Sequence, residues 1–310
     1  MRIFITGATG FIGRSLVDEL ISRGHSEITA LTRKTSDTEF LRNRDIKIVY
    51  GDVTDKTCLK LVEGDYDVLF HCAGLVTNRD KRMLHEVNVA GTENICRWAA
   101  ERNMKKVIYV SSVSVNSGNP VDMLTEDHPY SATNPYGVSK LEAEKMAVKF
   151  RDAGLPMVIV RPCIVYGEGE PHWMPFLSRL MRLRLCVIPA CGDRLLHMVS
   201  VRNLAVCLVR CFEDNRALGG VFNIADNNVL TIREVLKVIS KSLHVPMPVT
   251  FPRFLKNVAS RLPVIGKRIR FFDKDRVYSI RKLKETIDFS PPHDVIVELM
   301  FAALSLRAHK

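Results

Sequence analysis

A glycine turn near the start of the chain constrains the possible folds more than any other feature. Residues 6–13, with the sequence TGATGFIG, directly follow the apolar run of residues 3–5. Three glycines spaced three apart suit a tight turn with positive φ, a close approach of backbone to an anion, and close packing of a helix on a strand. The unpaired N–H groups and the dipole of the following helix favour a pyrophosphate there. The pattern therefore predicts a strand–turn–helix unit that binds an anionic group such as a pyrophosphate, and an ordinary glycine turn is the alternative.

Apolar strands alternate with helix-like stretches through the first half of the chain. After the first strand, the apolar runs are residues 27–31, 46–50, 68–70, 107–110 and 157–161. Continuous apolar strands separated by helices are typical of a parallel sheet that is covered on both faces. We therefore predict an α/β fold with a doubly wound, Rossmann-type parallel sheet in residues 1–165.

The alternation breaks after Gly167, where prolines and mixed helical segments follow. We predict that residues 166–310 form a smaller, mostly helical substrate-binding lobe. An alternative for residues 197–225 is a return to the main sheet, because they contain a strand-like run at residues 221–224.

Composition limits the class of protein. The chain has 310 residues, of which 46% are hydrophobic, and its N-terminus enters a strand without a signal-peptide pattern. No apolar run is long enough to cross a bilayer, so a cytoplasmic protein is expected. The eight cysteines lack the spacing of metal ligands, which favours reduced thiols and no metal site.

The positive charge is concentrated near the C-terminus. Residues 253–284 contain eleven Lys or Arg and two Asp, in a chain whose net charge is +11. We favour a solvated face for this segment. An anionic substrate or contact with a membrane surface are the alternatives, because apolar residues recur at helical spacing between the charges. No motif indicates a nucleic-acid partner.

The residue types after the second strand bear on cofactor selectivity. In NAD-binding proteins an acidic residue about 20 positions past the glycines holds the ribose hydroxyls. Here the strand ends with Arg33, and no acid occurs before Asp37. Arginine can pair with a 2′-phosphate and stack on adenine. This favours NADP(H), with NAD(H) and a merely solvated Arg33 as alternatives.

Two further strand ends suit the same cofactor. Asp52, followed by Val53, comes directly after the third strand and can accept from the adenine amino group, or it can cap a helix starting near Thr54. The fourth strand ends with the small residues of segment 72–74, as expected where backbone passes along a cofactor.

Tyr136 and Lys140 form the main candidate for catalysis. Their i, i+4 spacing at the start of a helix places both side chains on one face. A neighbouring ammonium favours the phenolate, which lets the tyrosine exchange a proton with an alcohol. Ser112, at the end of the fifth strand, can bind the substrate oxygen as charge develops on it. A surface Tyr–Lys pair is the simpler alternative, but the upstream serine and the glycine turn argue against it.

These motifs together resemble the extended short-chain dehydrogenase/reductases, of the NAD-dependent epimerase/dehydratase and 3β-hydroxysteroid dehydrogenase type. The three-residue step from Gly7 to Gly10 matches the glycine motif of that family. The matching segments are residues 6–13, 52–53, 71–74, 86–92, 109–112, 136–140, 161–167 and 220–224. The resemblance therefore spans most of the chain.

The resemblance implies roles for individual residues. It assigns the catalytic hydroxyl to Ser112, the acid/base to Tyr136 and the ribose-binding lysine to Lys140. It places Asn88, otherwise interpreted as a helix cap, in support of the active site. The residues expected to contact the cofactor are Gly7, Thr9, Gly10, Phe11, Ile12, Gly13, Arg33, Asp52, Val53, Cys72, Ala73, Gly74, Asn88, Tyr136, Lys140, Pro162 and Cys163. A homodimer through helices near residues 80–100 and 136–153 is also implied.

The family divides by substrate, so three functions stay open. Nucleotide-sugar epimerases often carry an Asn and an Arg where this chain has Cys163 and Leu196. The leading hypothesis is therefore NAD(P)-dependent hydride transfer at a secondary alcohol or ketone. The alternatives are a UDP-sugar 4-epimerase or dehydratase with tightly bound NAD, using arginines at positions 179, 182 and 184 for phosphate, and a non-catalytic NAD(P)-sensing protein. In each case the partner is a small molecule, a hydroxy or keto compound or a nucleotide sugar.

Overall fold

A seven-stranded parallel sheet forms the centre of the computed structural model, which describes residues 1–188, 192–250 and 275–308. The strands are β1 (Ile3–Thr6), β2 (Ile28–Thr32), β3 (Lys47–Tyr50), β4 (Val68–His71), β5 (Lys106–Val110), β6 (Met123–Leu124), β7 (Met157–Pro162), β8 (Ile164–Tyr166), β9 (Val187–Ile188), β10 (Leu195–Leu196), β11 (Met198–Ser200), β12 (Val221–Ile224), β13 (Leu230–Thr231), β14 (Val249–Thr250) and β15 (Val277–Tyr278). The main sheet has the order β12-β7-β5-β4-β1-β2-β3, and the remaining strands form short pairs. The α/β, Rossmann-type fold class is confirmed.

Helices cover both faces of this sheet. They are α1 (Phe11–Ser22), α2 (Glu39–Arg42), α3 (Lys56–Lys60), α4 (Lys81–Leu84), α5 (Gly91–Glu101), α6 (Pro135–Asp152), α7 (Trp173–Arg182), α8 (Val201–Glu213), α9 (Ile232–Leu243), α10 (Arg281–Ile287) and α11 (Val295–Ala308), with a π-helical turn at His85–Ala90. Helices α1 and α8 pack together on one face, and α5 and α6 pack together on the other.

Strand β1 shows why the sheet needs both layers. All four of its residues are buried, and successive side chains point to opposite faces. Ile3 and Ile5 enter the core that contains Leu16 of α1. Phe4 enters the other core, where its ring lies 4.7 Å from that of Trp98 of α5. A strand that is apolar on both sides is stable only when helices cover both sides.

The strand at residues 221–224 joins the main sheet. In β12, Phe222 lies opposite Val160 of β7, and the two strands run parallel. The connecting helix α8 packs on α1 and on β5. Residues 201–224 therefore extend the sheet, whereas the division of the chain at residue 165 stays a prediction.

A third core lies in the C-terminal lobe, between α7, α9 and α11. Met174, Leu236 and Leu299 are among its buried residues. Helix α9 begins with a capping box, in which Thr231 accepts from the Glu234 N–H and the Glu234 carboxylate accepts from the Thr231 N–H. Most of the basic segment, residues 251–274, lies outside the described residues. Within the described ranges, no helix is both long and apolar enough to cross a membrane.

Candidate active site

The glycine turn brings the end of β4 against the start of α1. Gly7 has φ +76°, and a Cβ there would lie 2.6 Å from the backbone nitrogen of Ala73. A Cβ on Gly13 would lie 2.1 Å from the Gly7 carbonyl oxygen. Both positions therefore require glycine, the first for its positive φ and both for the close approach of backbone.

The N-terminus of α1 has the donors that an anion needs. Gly10 is its N-cap, no side chain caps it, and its first turn has no acidic residue. The first backbone N–H groups of a helix lack intrahelical partners, and the helix dipole adds partial positive charge. The turn that holds Gly7, Thr9, Gly10, Phe11, Ile12 and Gly13 therefore fits a pyrophosphate group.

Arg14 connects this turn to the loop after β2, which the sequence analysis did not anticipate. Its Nε donates to the Thr9 carbonyl oxygen at 3.0 Å, and its Nη2 lies 3.2 Å from the Asp37 carboxylate. The Glu39 backbone N–H and the Arg14 guanidinium hold the pKa of Asp37 below its usual range. Arg33 is exposed directly after β2. Its backbone carbonyl accepts a hydrogen bond from the N–H of Ser36.

Asp52 and Val53 close the turn after β3. One Asp52 carboxylate oxygen accepts from the backbone N–H and from the hydroxyl of Thr54, both at 2.9 Å. The alternative of a helix cap at Asp52 is wrong, because α3 begins at Lys56 and its cap is Asp55. The carbonyl of Val53 accepts from Asn94 at 2.9 Å, which holds this turn against α5.

His71 connects the start of the glycine turn to α5 through its two ring nitrogens. Its Nδ1 lies 2.7 Å from the Thr6 hydroxyl and its Nε2 lies 3.0 Å from the Thr92 hydroxyl. Burial, and secondarily the charge of Lys140, lowers the pKa of His71 to about 3. The ring is therefore neutral at physiological pH. Its contacts hold Thr6 and Thr92 beside segment 72–74. Burial likewise raises the pKa of the Cys72 thiol to about 12.

Ser112 and Tyr136 lie side by side where β5 ends and α6 begins. Helix α6 starts with Pro135 after the cap Asn134, whose Oδ1 accepts from the Gly137 N–H at 2.8 Å. A Cβ on Gly137 would lie 3.0 Å from the Ser114 carbonyl oxygen, so glycine lets the helix approach the loop after β5 closely. The Ser112 hydroxyl acts on the Tyr136 phenol in the direction that lowers its pKa.

Lys140 lies buried one turn further along α6. Its Nζ donates to the Val110 carbonyl oxygen at 2.8 Å and lies 4.7 Å from the centre of the Tyr109 ring. Burial lowers the pKa of Lys140 to about 8, and the charge of Glu144 opposes that shift. The three predicted residues are thus brought together, with Lys140 beneath the Ser112–Tyr136 pair.

The phenol differs from the expectation. Burial raises the pKa of Tyr136, and only the hydrogen bond with Ser112 acts in the opposite direction. Lys140, which the sequence suggested would lower this pKa, donates to the Val110 carbonyl oxygen instead. Tyr136 therefore holds its proton at neutral pH.

Asn88 joins the site from the π-helical turn, and its interpretation as a helix cap is wrong. Its Nδ2 donates to the Leu75 carbonyl oxygen at 3.0 Å and to the Ser139 hydroxyl at 2.9 Å, and its Oδ1 accepts from the Leu75 N–H at 2.7 Å. The side chain thus ties the strand-end segment 72–75 to α6. π-Helical turns are frequent at functional sites.

Pro162 and Cys163 lie where β7 ends. The Cys163 N–H donates to the Ile224 carbonyl oxygen at 3.1 Å, and burial raises the pKa of its thiol well above the usual value. Cys163 is therefore a neutral thiol beside the edge strand β12.

Ser114 is a site residue that the sequence analysis missed. Its hydroxyl lies 2.5 Å from the Ser112 hydroxyl, and its N–H donates to the same oxygen at 3.2 Å. The signal available in the sequence was the alternation Ser112-Val113-Ser114 directly after an apolar strand. Ser114 thus fixes the orientation of the Ser112 hydroxyl.

A pocket of about 290 Å³ lies beside the loop that follows Ser112. It is lined by Ser117 and Asp122 from that loop and by Arg194, Asp275 and Arg276 from the C-terminal lobe. Arg194 pairs with Asp275 at 3.1 Å. The pocket therefore lies between this loop and the C-terminal lobe, and two arginines are among its lining residues.

The arginines proposed as a phosphate clamp on α7 are arranged differently. Arg182 donates to the Leu306 carbonyl oxygen at 2.9 Å, which gives it a structural role between α7 and α11. Arg179 and Arg184 are exposed. Leu196 is buried in β10, where a backbone bridge places it beside Arg276.

Comparison with known proteins identifies the family of this chain. The model of the NAD dependent epimerase/dehydratase family matches residues 3–225. A UDP-glucose 4-epimerase of Vibrio cholerae is 27% identical over 308 residues, covering 94% of this chain and 90% of the relative. A 4-hydroxy-2-methyl-3-oxo-4-farnesyl-3,4-dihydroquinoline-1-oxide ketoreductase of Stigmatella aurantiaca is 28% identical over 244 residues, covering 77% of this chain and 72% of the relative.

The fold also matches solved structures. A UDP-glucuronic acid 4-epimerase from Bacillus cereus, in complex with NAD, superposes with a TM-score of 0.82 at 20% identity and covers 99% of both chains. The family match covers well over half of the chain, and the relatives are named epimerases and reductases. The chain therefore belongs to the NAD-dependent epimerase/dehydratase family and is an NAD(P)-dependent enzyme of the extended short-chain dehydrogenase/reductase type.

Proposed function

We propose that this enzyme transfers a hydride between NADP(H) and a secondary alcohol or ketone, with Ser112, Tyr136 and Lys140 as its catalytic residues. The observation that carries the proposal is the placement of Tyr136 and buried Lys140 one helical turn apart on α6, where Lys140 donates to the end of β5 two residues before Ser112 and Ser112 acts on the pKa of Tyr136. Two hydroxyls that converge at the end of a parallel strand can bind one substrate oxygen together.

The chain has the groups that a dinucleotide needs. The uncapped N-terminus of α1 suits the pyrophosphate, and the close approach of Gly7 to Ala73 places segment 72–74 along its path. When bound, the nicotinamide supplies or accepts the hydride. The remaining residues expected at the cofactor are Arg33, Asp52, Val53, Asn88, Lys140, Pro162 and Cys163.

NADP(H) is proposed rather than NAD(H) because of charge at the end of β2. Arg33 is exposed there, and the nearby acid Asp37 is paired with Arg14. An acid that is neutralised in this way repels a 2′-phosphate less than a free carboxylate does.

Tyr136 acts as the proton donor in the direction of ketone reduction. Burial raises its pKa, so the phenol carries a proton when the substrate binds. As hydride reaches the carbonyl carbon, the oxygen gains negative charge, and Ser112 and Tyr136 donate hydrogen bonds to it. The Tyr136 proton then moves to that oxygen and completes the alcohol.

The test measures NADPH oxidation with a panel of ketones. The substitution Tyr136→Phe removes the proton donor and should lower kcat by about 100-fold or more. Tyr66→Phe is the matched control, because Tyr66 is buried in the second core and donates to the Glu63 carbonyl. Full activity in the Tyr136→Phe variant would contradict the proposed role.

A second candidate is a nucleotide-sugar epimerase or dehydratase that uses the same three residues. It is favoured by the pocket that Ser117 and Arg194 line, where the Arg194 guanidinium, which is paired with Asp275, can also meet a phosphate. The Vibrio cholerae relative, named as a UDP-glucose 4-epimerase, supports it. Turnover of UDP-sugars without net change in NAD(P)H would establish this candidate in place of the ketone reductase.

A further inference from the structure

A fully buried carboxylate, Glu144, lies one helical turn beyond Lys140 on α6 and is not used in the mechanism above. It accepts hydrogen bonds from three separate elements. The Ser111 hydroxyl donates to it at 2.5 Å, the Tyr130 hydroxyl at 2.8 Å, and the Arg161 guanidinium through both Nε and Nη2. Such complete satisfaction is what allows an ionised carboxylate to remain buried.

One hydrogen-bond partner of Glu144, Ser111, directly precedes the proposed catalytic residue Ser112 in the chain. Ser111 is the last residue before Ser112, and its N–H donates to the Val160 carbonyl oxygen of β7 at 2.8 Å. Arg161 lies on β7, and its Nη1 donates to the Glu126 carbonyl oxygen at 3.1 Å. Glu144 therefore holds α6 against the ends of β5 and β7.

Lys140 has few other charges around it. From the end of β4 it faces His71 and Cys72, both of which are neutral at physiological pH because burial shifts the pKa of each toward its neutral form. From β5 it faces the Tyr109 ring and the Val110 carbonyl, and Tyr136 on its own helix is protonated. Glu144 follows Lys140 by four residues on α6, which places the two buried side chains on one face of the helix. Its carboxylate favours the charged form of Lys140, although Arg161 is bound to the same carboxylate.

We propose that Glu144 is a positioning residue for the reaction, because its buried carboxylate anchors Ser111 beside Ser112 and serves as the counter-charge of Lys140. This inference rests on the proposed function for its catalytic meaning. The electrostatic part is independent of the substrate, because it concerns the ionisation of Lys140 itself.

The first experiment measures the ionisation of Lys140 without any substrate. Competitive acetylation of the whole protein across a pH series, read by mass spectrometry of the peptide that contains Lys140, gives its pKa. In wild type this pKa is expected at about 8. The substitution Glu144→Gln should lower it further by about one pH unit, since an opposite charge nearby typically shifts a pKa by 1–3 units.

Two variants separate charge from structure. Tyr130→Phe removes one hydrogen bond from the same carboxylate and leaves its charge, so the Lys140 pKa should stay as in wild type. Glu144→Asp keeps the negative charge, so the pKa of Lys140 in this variant should be close to the wild-type value. If Glu144→Gln fails to fold, Glu144→Gln/Arg161→Met removes both buried charges together, which proteins often tolerate. A smaller downward shift is then expected, because loss of the Arg161 charge acts in the opposite direction.

The second experiment uses activity. If hydride transfer is the function, the alkaline limb of kcat/KM moves to lower pH in Glu144→Gln by the shift found in labelling. A folded Glu144→Gln or double variant with an unchanged Lys140 pKa would overturn the inference, as would an equal shift in Tyr130→Phe. If the wild-type protein shows no hydride transfer, only the proposed function is contradicted. The labelling experiment uses no substrate, so its result does not depend on that function.

Discussion

We propose that Arg33 decides the choice between NADP(H) and NAD(H) in this chain. Its exposed guanidinium follows β2, on the loop that Arg14 ties to the glycine turn through Asp37 and Thr9. The 2′-phosphate of NADP(H) would meet the positive charge of Arg33. The 2′-hydroxyl of NAD(H) needs a carboxylate as its partner, and position 33 does not supply one. Selectivity at this position thus depends on one charge-assisted contact.

The substitution Arg33→Ala should weaken NADPH binding by about 10- to 100-fold, since a hydrogen bond to a charged group contributes about 1.5–3 kcal/mol. NADH binding should change by less than about threefold. Titration of cofactor fluorescence measures both affinities. Arg281→Ala is the control, because Arg281 is equally basic, exposed and paired with Glu285 on α10. Equal losses for NADPH and NADH would remove the role assigned to Arg33.

At the scale of the element, helix α6 determines the geometry of the site. Asn134 caps it two residues before Tyr136, and Gly137 lets it approach the loop that carries Ser112 and Ser114. The helix then carries Lys140 and Glu144 inward on the following turns. The position of the phenol relative to Ser112 therefore depends on how this helix begins.

Replacing the cap with Asn134→Ala should destabilise the protein by about 1 kcal/mol, as is typical for an N-cap asparagine. It should also lower kcat more than it changes cofactor affinity, because the first turn that holds Tyr136 loses its anchor. Urea denaturation and steady-state kinetics measure the two effects. The control is Asp55→Ala, which removes the cap of α3, far along the chain from the catalytic helix. A similar loss of kcat in both variants would show that the effect is only one of stability.

At the scale of the whole molecule, Asp226 links the sheet to the C-terminal lobe. It follows β12, and its carboxylate accepts from Tyr166 of β8 at 2.7 Å and from Asn203 of α8 at 2.7 Å. Tyr166 also donates to the Val295 carbonyl oxygen of α11. Burial raises the pKa of Asp226 to about 6, although these hydrogen bonds oppose the rise.

This raised pKa has a defined effect on stability. A carboxyl whose pKa is higher in the folded than in the unfolded state stabilises the fold when protonated, and the gain is lost as pH rises through the folded pKa. Between pH 4 and pH 7, wild type should therefore lose on the order of 2–3 kcal/mol relative to Asp226→Asn. Urea denaturation of both proteins at several pH values measures the difference. A constant difference across that range would contradict the raised pKa.

Much of the fold followed from local patterns. The continuous apolar run of Ile3, Phe4 and Ile5 and the glycine spacing after it are short-range features, and the parallel sheet that they predicted is confirmed. Segment boundaries were less accurate. Strand β2 begins at Ile28 and ends at Thr32 rather than covering residues 27–31, because backbone pairing with β1 and β3 sets its ends.

The sequence by itself determined which residues had the right chemistry at the right spacing. Tyr136 and Lys140 share a helix face because of the helical repeat, and Ser112 follows a strand because its neighbours are apolar. These are properties of neighbouring residues. They needed no information about the rest of the chain.

Only the tertiary structure decided how distant residues complete the site. Glu144 meets Ser111 and Arg161, His71 lies between Thr6 and Thr92, and Arg276 reaches the strand of Leu196. A buried charge or ring nitrogen must find a partner wherever the packed fold brings one, and no local pattern records that partner. The raised pKa of Tyr136 has the same origin, since burial is a property of the whole fold.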